Sequence, residues 1–77
     1  MALYTEKEMF NISTNIKNLR RSKGETQEQF GKRFNCNKSM ISRWELGKSS
    51  PKINTLFTIA SLAKVSTVDF INKLIEV

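Results

Sequence analysis

The stretch from Thr26 to Gly47 constrains this chain more than any other. Thr26-Gln27-Glu28-Gln29 is a capping box, T-x-x-Q, the signature of a helix start. Phe30 and Phe34 follow four apart on one helix face, so a short helix is expected from about Gln27 to Phe34. Asn35 then stands where the chain must turn, and Asn tolerates the left-handed conformation better than any residue except Gly. Asn37 is a good N-cap for a second short helix from Lys38 to Glu45. Gly47 suits its end, and Pro51 bars continuation. The polar residues of "NCNKSMISRWELGKSSP" suggest a loop, but Ile41 and Trp44 stand three apart, the spacing of one helix face. Two short helices joined by "NCN" form a helix-turn-helix unit over about residues 27–46.

The flanking sequence supplies three more helices. Thr5-Glu6-Lys7-Glu8 is another capping box, and Met9, Ile12, Ile16 and Leu19 recur at helical spacing. Asn11 and Ser13 weaken the first turns, so regular helix is expected only from near Ile12, ending at Gly24. "INTLFTIASLAKV" is apolar nearly all round, with Leu56, Ile59, Ala60 and Ala63 on one face and Ile53, Phe57 and Leu62 beside them. It reads as the central buried helix. Ser66 caps a last helix built on Phe70, Leu74, Ile71 and Ile75. The expectation is one all-α domain of five helices over residues 1–77.

Composition narrows the chemistry. The chain has 13 basic and 7 acidic residues, net +6, which suits a polyanionic partner such as DNA, RNA or an anionic membrane surface. It has no His, which removes the commonest general base, and its lone Cys36 supplies neither a disulfide nor a zinc ligand set. No metal, cofactor or small-molecule ligand is indicated. Phosphate-cradling glycine loops are absent, and no catalytic constellation exists. No run of apolar residues is long enough to span a membrane, and "MALYTEKEMF" does not read as a signal peptide, so the cytoplasm is the expected compartment.

The helix period places the candidate site. At about 100° per residue, Ile41 and Trp44 point inward. Ser39, Ser42 and Arg43 point outward, with Lys38 at the N-terminal edge. Arg and Lys donate to guanine O6 and N7, and Ser can donate or accept. In such units the N-terminal turn of the second helix reaches base edges, which favours Lys38 and Ser39. Phosphates would be met by the backbone around Thr26 and Gln27 and by Lys48. Met40 lies on the flank, with packing as its expected role and a thymine-methyl contact as the alternative. Cys36 reads as a small buried apolar residue of the turn.

The residues "TQEQFGKRFNCNKSMISRWELGK", then Pro51, then "LFTIASLAKVSTVDF", resemble the phage-repressor/Cro family of DNA-binding domains, also called the xenobiotic-response-element family. The matching positions are Gln27, Gly31, Asn37, Ile41-Ser42-Arg43-Trp44-Glu45-Leu46-Gly47, Pro51 and Leu56 to Ala63, within about residues 12–75. The resemblance implies a five-helix, lambda-repressor-like fold whose third helix reads the major groove. It implies base contacts from Lys38, Ser39, Ser42 and Arg43, and backbone or support roles for Thr26, Gln27, Asn37 and Lys48. Gln27 would brace both a phosphate and a neighbouring base-reading residue. It also implies a structural ion pair between Arg20 and Glu45.

The departures are Gly31 for the usual Ala, Asn35 in a turn that often holds Gly, Lys64 at another usual Gly, and the large Trp44. A Lys with positive φ is strained, so a different turn is expected at Lys64.

The last helix carries two apolar stripes, and the second suggests a homodimer through Phe70, Ile71, Leu74 and Ile75 that reads a palindromic operator. The expected function is sequence-specific double-stranded DNA binding by a transcriptional regulator, in the repressing sense, of bacterial, phage or mobile-element origin. The alternative is a protein-interaction module, such as an antitoxin or adaptor, that reuses the fold. RNA binding is less favoured, because among aromatics only Tyr4 looks free to stack on a base.

Overall fold

The computed structural model describes residues 3–77. Five helices follow in order: α1 Glu6–Ser22, α2 Gln27–Lys32, α3 Lys38–Glu45, α4 Ile53–Leu62 and α5 Thr67–Asn72. No strand occurs among the described residues, so the fold is all-α. Among the described residues no helix is long and apolar enough to cross a membrane.

The helix starts follow side-chain caps. Thr5 and Thr26 form reciprocal capping boxes with Glu8 and Gln29. Asn37 accepts from the Met40 N–H at 2.9 Å, and Ser66 accepts from the Asp69 N–H at 3.0 Å. Each such cap satisfies amide groups that the helix itself leaves open.

The helix ends share one device. Gly24, Asn35, Gly47 and Lys64 all take positive φ. After each, the next N–H closes back five residues: Glu25 to Arg20, Cys36 to Gly31, Lys48 to Arg43 and Val65 to Ala60, at 2.9 to 3.3 Å. This reverses the chain while satisfying a terminal carbonyl. The different turn expected at Lys64 is therefore not there. Lys64 adopts φ 62, and the closing bond and flanking burial hold it in a conformation that disfavours a Cβ.

The core is Ile12, Ile16 and Leu19 of α1, Phe30 of α2, Ile41 and Trp44 of α3, Leu56, Ile59 and Ala60 of α4, Phe70 of α5, and Ile75. Phe34 packs edge-on against Phe30, with ring centroids 5.1 Å apart. The central element is α1, which packs on both α3 and α5. The apolar pattern of the sequence points to α4 for that place. Instead α4 buries one face only, and leaves Ile53 and Phe57 exposed. Tyr4 is not free either, since it packs against the core, whereas Phe10 and Phe57 are the exposed aromatics. Trp44 is accommodated in the core at 3% exposure.

Two further expectations fail for one reason. Helix α1 starts at Glu6, not near Ile12, and Asn11 and Ser13 are buried rather than disruptive. Asn15 is fully buried. Its Nδ2 donates to the carbonyls of Phe70 and Lys73, both at 2.9 Å, and its Oδ1 accepts from the Ile75 N–H at 3.0 Å. Asn11 donates to the Ile71 carbonyl at 3.1 Å. These amides end α5 at Asn72 and pin the following residues in a non-helical tail.

The last helix therefore has no second apolar stripe. Leu74 and Ile75 lie beyond it. Phe70 and Ile75 are core residues of the chain itself, Ile71 is half-buried, and only Leu74 of the expected dimer set is exposed. Buried Phe70 and Ile75 are not available to a second copy.

At the turn between α2 and α3, Gly31 is a place of close approach. A Cβ built there would run into the Cys36 carbonyl oxygen and sit 3.3 Å from Ile41 Cγ1. The missing Cβ is the condition for so close a turn, and the weak helix propensity of Gly is its cost. Cys36 is half-buried rather than fully buried, and its Sγ donates to the Phe34 carbonyl at 3.3 Å.

Asn15→Ala is expected to destabilise the domain by about 2–4 kcal/mol, because it removes three hydrogen bonds and leaves buried backbone groups without partners. Denaturant unfolding measures this. A loss below about 0.5 kcal/mol would show that the tail is not held by this side chain.

Candidate nucleic-acid interface

Helix α3 is eight residues long, too short to persist by itself in water. Its neighbours hold it. Ile41, fully buried, and Trp44 anchor one face in the core. Asn37 closes the N-terminus, and the Gly47 and Lys48 amides close the C-terminus on the Trp44 and Arg43 carbonyls.

The polar end of α3 is fixed by charge. Glu45 has a side chain only 5% exposed. Arg20 of α1 meets it with two donors, Nε to Oε2 at 2.7 Å and Nη2 to Oε1 at 3.1 Å. This fork geometry matches guanidinium to carboxylate. Hydrogen bonding to Glu45 pushes the Arg20 guanidinium above its ordinary, already high pKa. Arg20 Nη1 also donates to the Glu25 carbonyl at 2.9 Å, which ties the loop before α2 to the same side chain.

Gln27, the first residue of α2, donates from Nε2 to Glu45 Oε1 at 3.1 Å. Its partner in the structure is Glu45. A nearly buried carboxylate needs donors on both oxygens, and Gln27 fills the site that Arg20 leaves.

On the solvent side the sequence-derived residues sit as follows. Lys38, Ser39 and Arg43 are exposed, and Ser42 is half-buried. Ser39 and Arg43 stand one turn apart on the side away from Ile41 and Trp44. Among the described residues, the Lys38 and Arg43 side chains enter no ion pair, and no acid lies in the first turn of α3. The face is therefore cationic and open. Met40, expected to pack, is 43% exposed and stands outside the core cluster. Thr26 and Asn37 serve as the caps of α2 and α3. Lys48 is exposed at the start of the loop toward α4.

Other charges are placed away from this face. Arg33 binds Glu25 through Nη2 at 2.6 Å and Nε at 2.9 Å. Hydrogen bonding from Arg33 holds the Glu25 carboxyl below the usual carboxylate range, and the same bond raises Arg33. That pair braces the α1–α2 loop against the end of α2. It escaped the sequence reading because its partners are eight residues apart, across a helix cap. The Gln27–Glu45 bond escaped for a similar reason, spanning 18 residues.

Arg20→Met is expected to destabilise the fold by about 3–5 kcal/mol, since it strands the Glu45 carboxylate in a nearly buried site. Adding Glu45→Leu should restore a large part of the loss. Thermal or urea unfolding of both variants is the check. A double variant no more stable than Arg20→Met alone would show that the cost is not that of a stranded charge.

The geometry of two short helices, a tight turn and an outward cationic face can be set beside known proteins. A family profile described as Helix-turn-helix matches residues 16–70, most of the chain. An uncharacterized HTH-type transcriptional regulator of Sinorhizobium fredii, y4dJ, is 33% identical over 60 residues, covering 78% of each chain. No solved structure matches. The matched span contains α2, the turn and α3 complete, together with the Arg20 and Glu45 partners, and the chain belongs to the Cro/C1-type helix-turn-helix family.

Proposed function

We propose that this chain is a sequence-specific, double-stranded DNA-binding transcriptional regulator that lays α3 in the major groove. One observation carries the reading. Lys38, Ser39 and Arg43 are exposed on α3, while the opposite face is locked into the core by Ile41, Trp44 and the Arg20–Glu45 pair. A rigid helix with a cationic, acid-free outer face is the element that this class of domain inserts among base edges.

Lys38 and Arg43 have the donors for guanine O6 and N7, and Ser39 and Ser42 can donate or accept. Lys48 is placed for a phosphate, which positions the domain without reading sequence. The Thr26 and Gln29 amides are already used in capping, so phosphate contact at α2 falls to the Gln27 and Glu28 amides. Repression is the simplest mode of action, because occupancy of a site alone excludes other proteins. The bacterial source of the relative fits a bacterial, phage or mobile-element origin.

A two-fold dimer on a palindrome remains part of the proposal, with a changed contact set. Val68, Leu74 and Val77 are the exposed apolar residues near the C-terminus, and they replace buried Phe70 and Ile75 as the side chains a second copy could meet.

Selection from random-sequence DNA tests both parts. A preferred site is expected, with half-site centres about 34 Å apart. A preferred site lacking symmetry would remove the dimer. Combined Lys38, Ser39 and Arg43→Ala should weaken specific binding by about two to four orders of magnitude, at about 1–3 kcal/mol for each good base contact. Lys48→Ala should weaken binding to all sequences alike and reduce the salt slope by about one unit. A folded triple variant that bound its operator unchanged would overturn the site. Absence of DNA binding even at low salt would favour the protein-interaction module.

A further inference from the structure

Met40 is the one large apolar side chain on α3 that the core does not take up. It is 43% exposed, while Ile41 and Trp44 beside it are buried. It occupies the third residue of α3, and its own N–H is held by Asn37 Oδ1, so its backbone position is set by the N-terminal cap. The nearest exposed apolar neighbour in sequence, Leu46, lies beyond the other end of the helix. Met40 therefore stands in the turn that approaches base edges, and Leu46 does not.

In the major groove only thymine among the four bases presents a methyl group. An exposed thioether on three rotatable bonds is suited to cover such a methyl, because it is apolar, polarisable and able to adapt its shape. Met40 and Arg43 are three residues apart on one helix, which puts their Cβ atoms roughly 5–6 Å apart. Successive base pairs rise about 3.4 Å, so the two side chains span one or two base steps.

We infer that Met40 reads the C5-methyl group of a thymine one or two base steps from a guanine held by Arg43. This rests on the DNA-binding reading above and names part of the half-site it requires. The thioether supplies specificity at its step by apolar contact, while Arg43, whose guanidinium has no acid partner among the described residues, supplies donors at the next.

The experiment replaces each thymine of the selected operator, in turn, by uracil. Uracil keeps the pairing and loses only the methyl. One thymine per half-site is expected to show binding about fourfold weaker with uracil, the factor for one buried methyl. Met40→Ala should bind the thymine operator about fourfold more weakly and treat thymine and uracil alike. Met40→Leu should keep the discrimination. Lys48→Ala, which touches phosphate, should keep the full thymine-to-uracil ratio at reduced affinity. Equal binding of thymine and uracil at every position by the unaltered protein would overturn the inference, as would a Met40→Ala variant that still discriminates. A general loss of affinity in Met40→Ala with the ratio intact would assign the side chain to the sugar-phosphate backbone instead. A selection that recovers no preferred site sinks the DNA-binding reading itself, an outcome distinct from all of these.

Discussion

The carboxylate of Glu45 is 5% exposed, a position in which an unpartnered charge costs several kcal/mol. It is tolerated because Arg20 arrives from α1 with two donors and Gln27 from α2 with a third. One group thus receives a bond from each of the two helices that flank α3. Arg20 also reaches the Glu25 carbonyl, so the loop entering α2 belongs to the same arrangement. Such a pair adds little net stability over an apolar alternative, but it admits few geometries. That is what α3 needs. An eight-residue helix anchored by two core side chains could still rotate about its axis. The charged end adds a third tether to the helix that carries Ser39 and Arg43.

Asn15 does the corresponding work from the middle of α1. It is a polar side chain with no exposure, and its amide takes two carbonyls and gives an acceptor to one N–H, all from residues 70–75. A small domain has few core residues, and a polar contact that is fully satisfied specifies the position of the C-terminal tail more sharply than another leucine would. Because the tail is drawn in this way, Ile75 reaches the core from outside any helix.

What was legible in the chain follows from the range of the forces involved. Caps act over three residues, and Thr5, Thr26, Asn37 and Ser66 each mark a helix start that the structure shows. The bounds of α3 were readable to the residue, because Asn37 and Gly47 punctuate it on both sides. The failures lie where a distant partner decides. Phe70, Leu74 and Ile71, Ile75 have helical spacing, yet an asparagine 55 or more residues away takes the backbone groups at the end of α5. Asn11 and Ser13 look like helix breakers until their burial against that tail and within α1 is known. Lys64 enters the left-handed region because the Val65 N–H closes on Ala60, a closure that outweighs the preference of one residue. In the candidate site, the outward position of Lys38, Ser39 and Arg43 was visible from period alone. The link from Gln27 to Glu45 was not, since nothing local requires it.

The cationic character of the α3 face depends as much on where the acids are as on where the bases are. The chain has seven acidic residues, and most have structural employment. Glu8 closes the capping box of α1, and Glu6 lies in the same first turn, where the helix dipole favours it. Glu25 is bound to Arg33, Glu45 to Arg20, and Asp69 lies 3.7 Å from Lys73. Glu28 sits in the first turn of α2, and Glu76 in the tail. None stands on the outward side of α3. Of the four arginines, Arg20 and Arg33 are committed to carboxylates, whereas Arg43 has no acid partner among the described residues. A net charge of +6 spread evenly would give only a weak, general attraction for polyanions. Holding acids in caps and ion pairs elsewhere leaves Lys38 and Arg43 on α3 without a neutralising carboxylate among the described residues. The same residues that stabilise the fold thereby shape the field that a nucleic acid would meet.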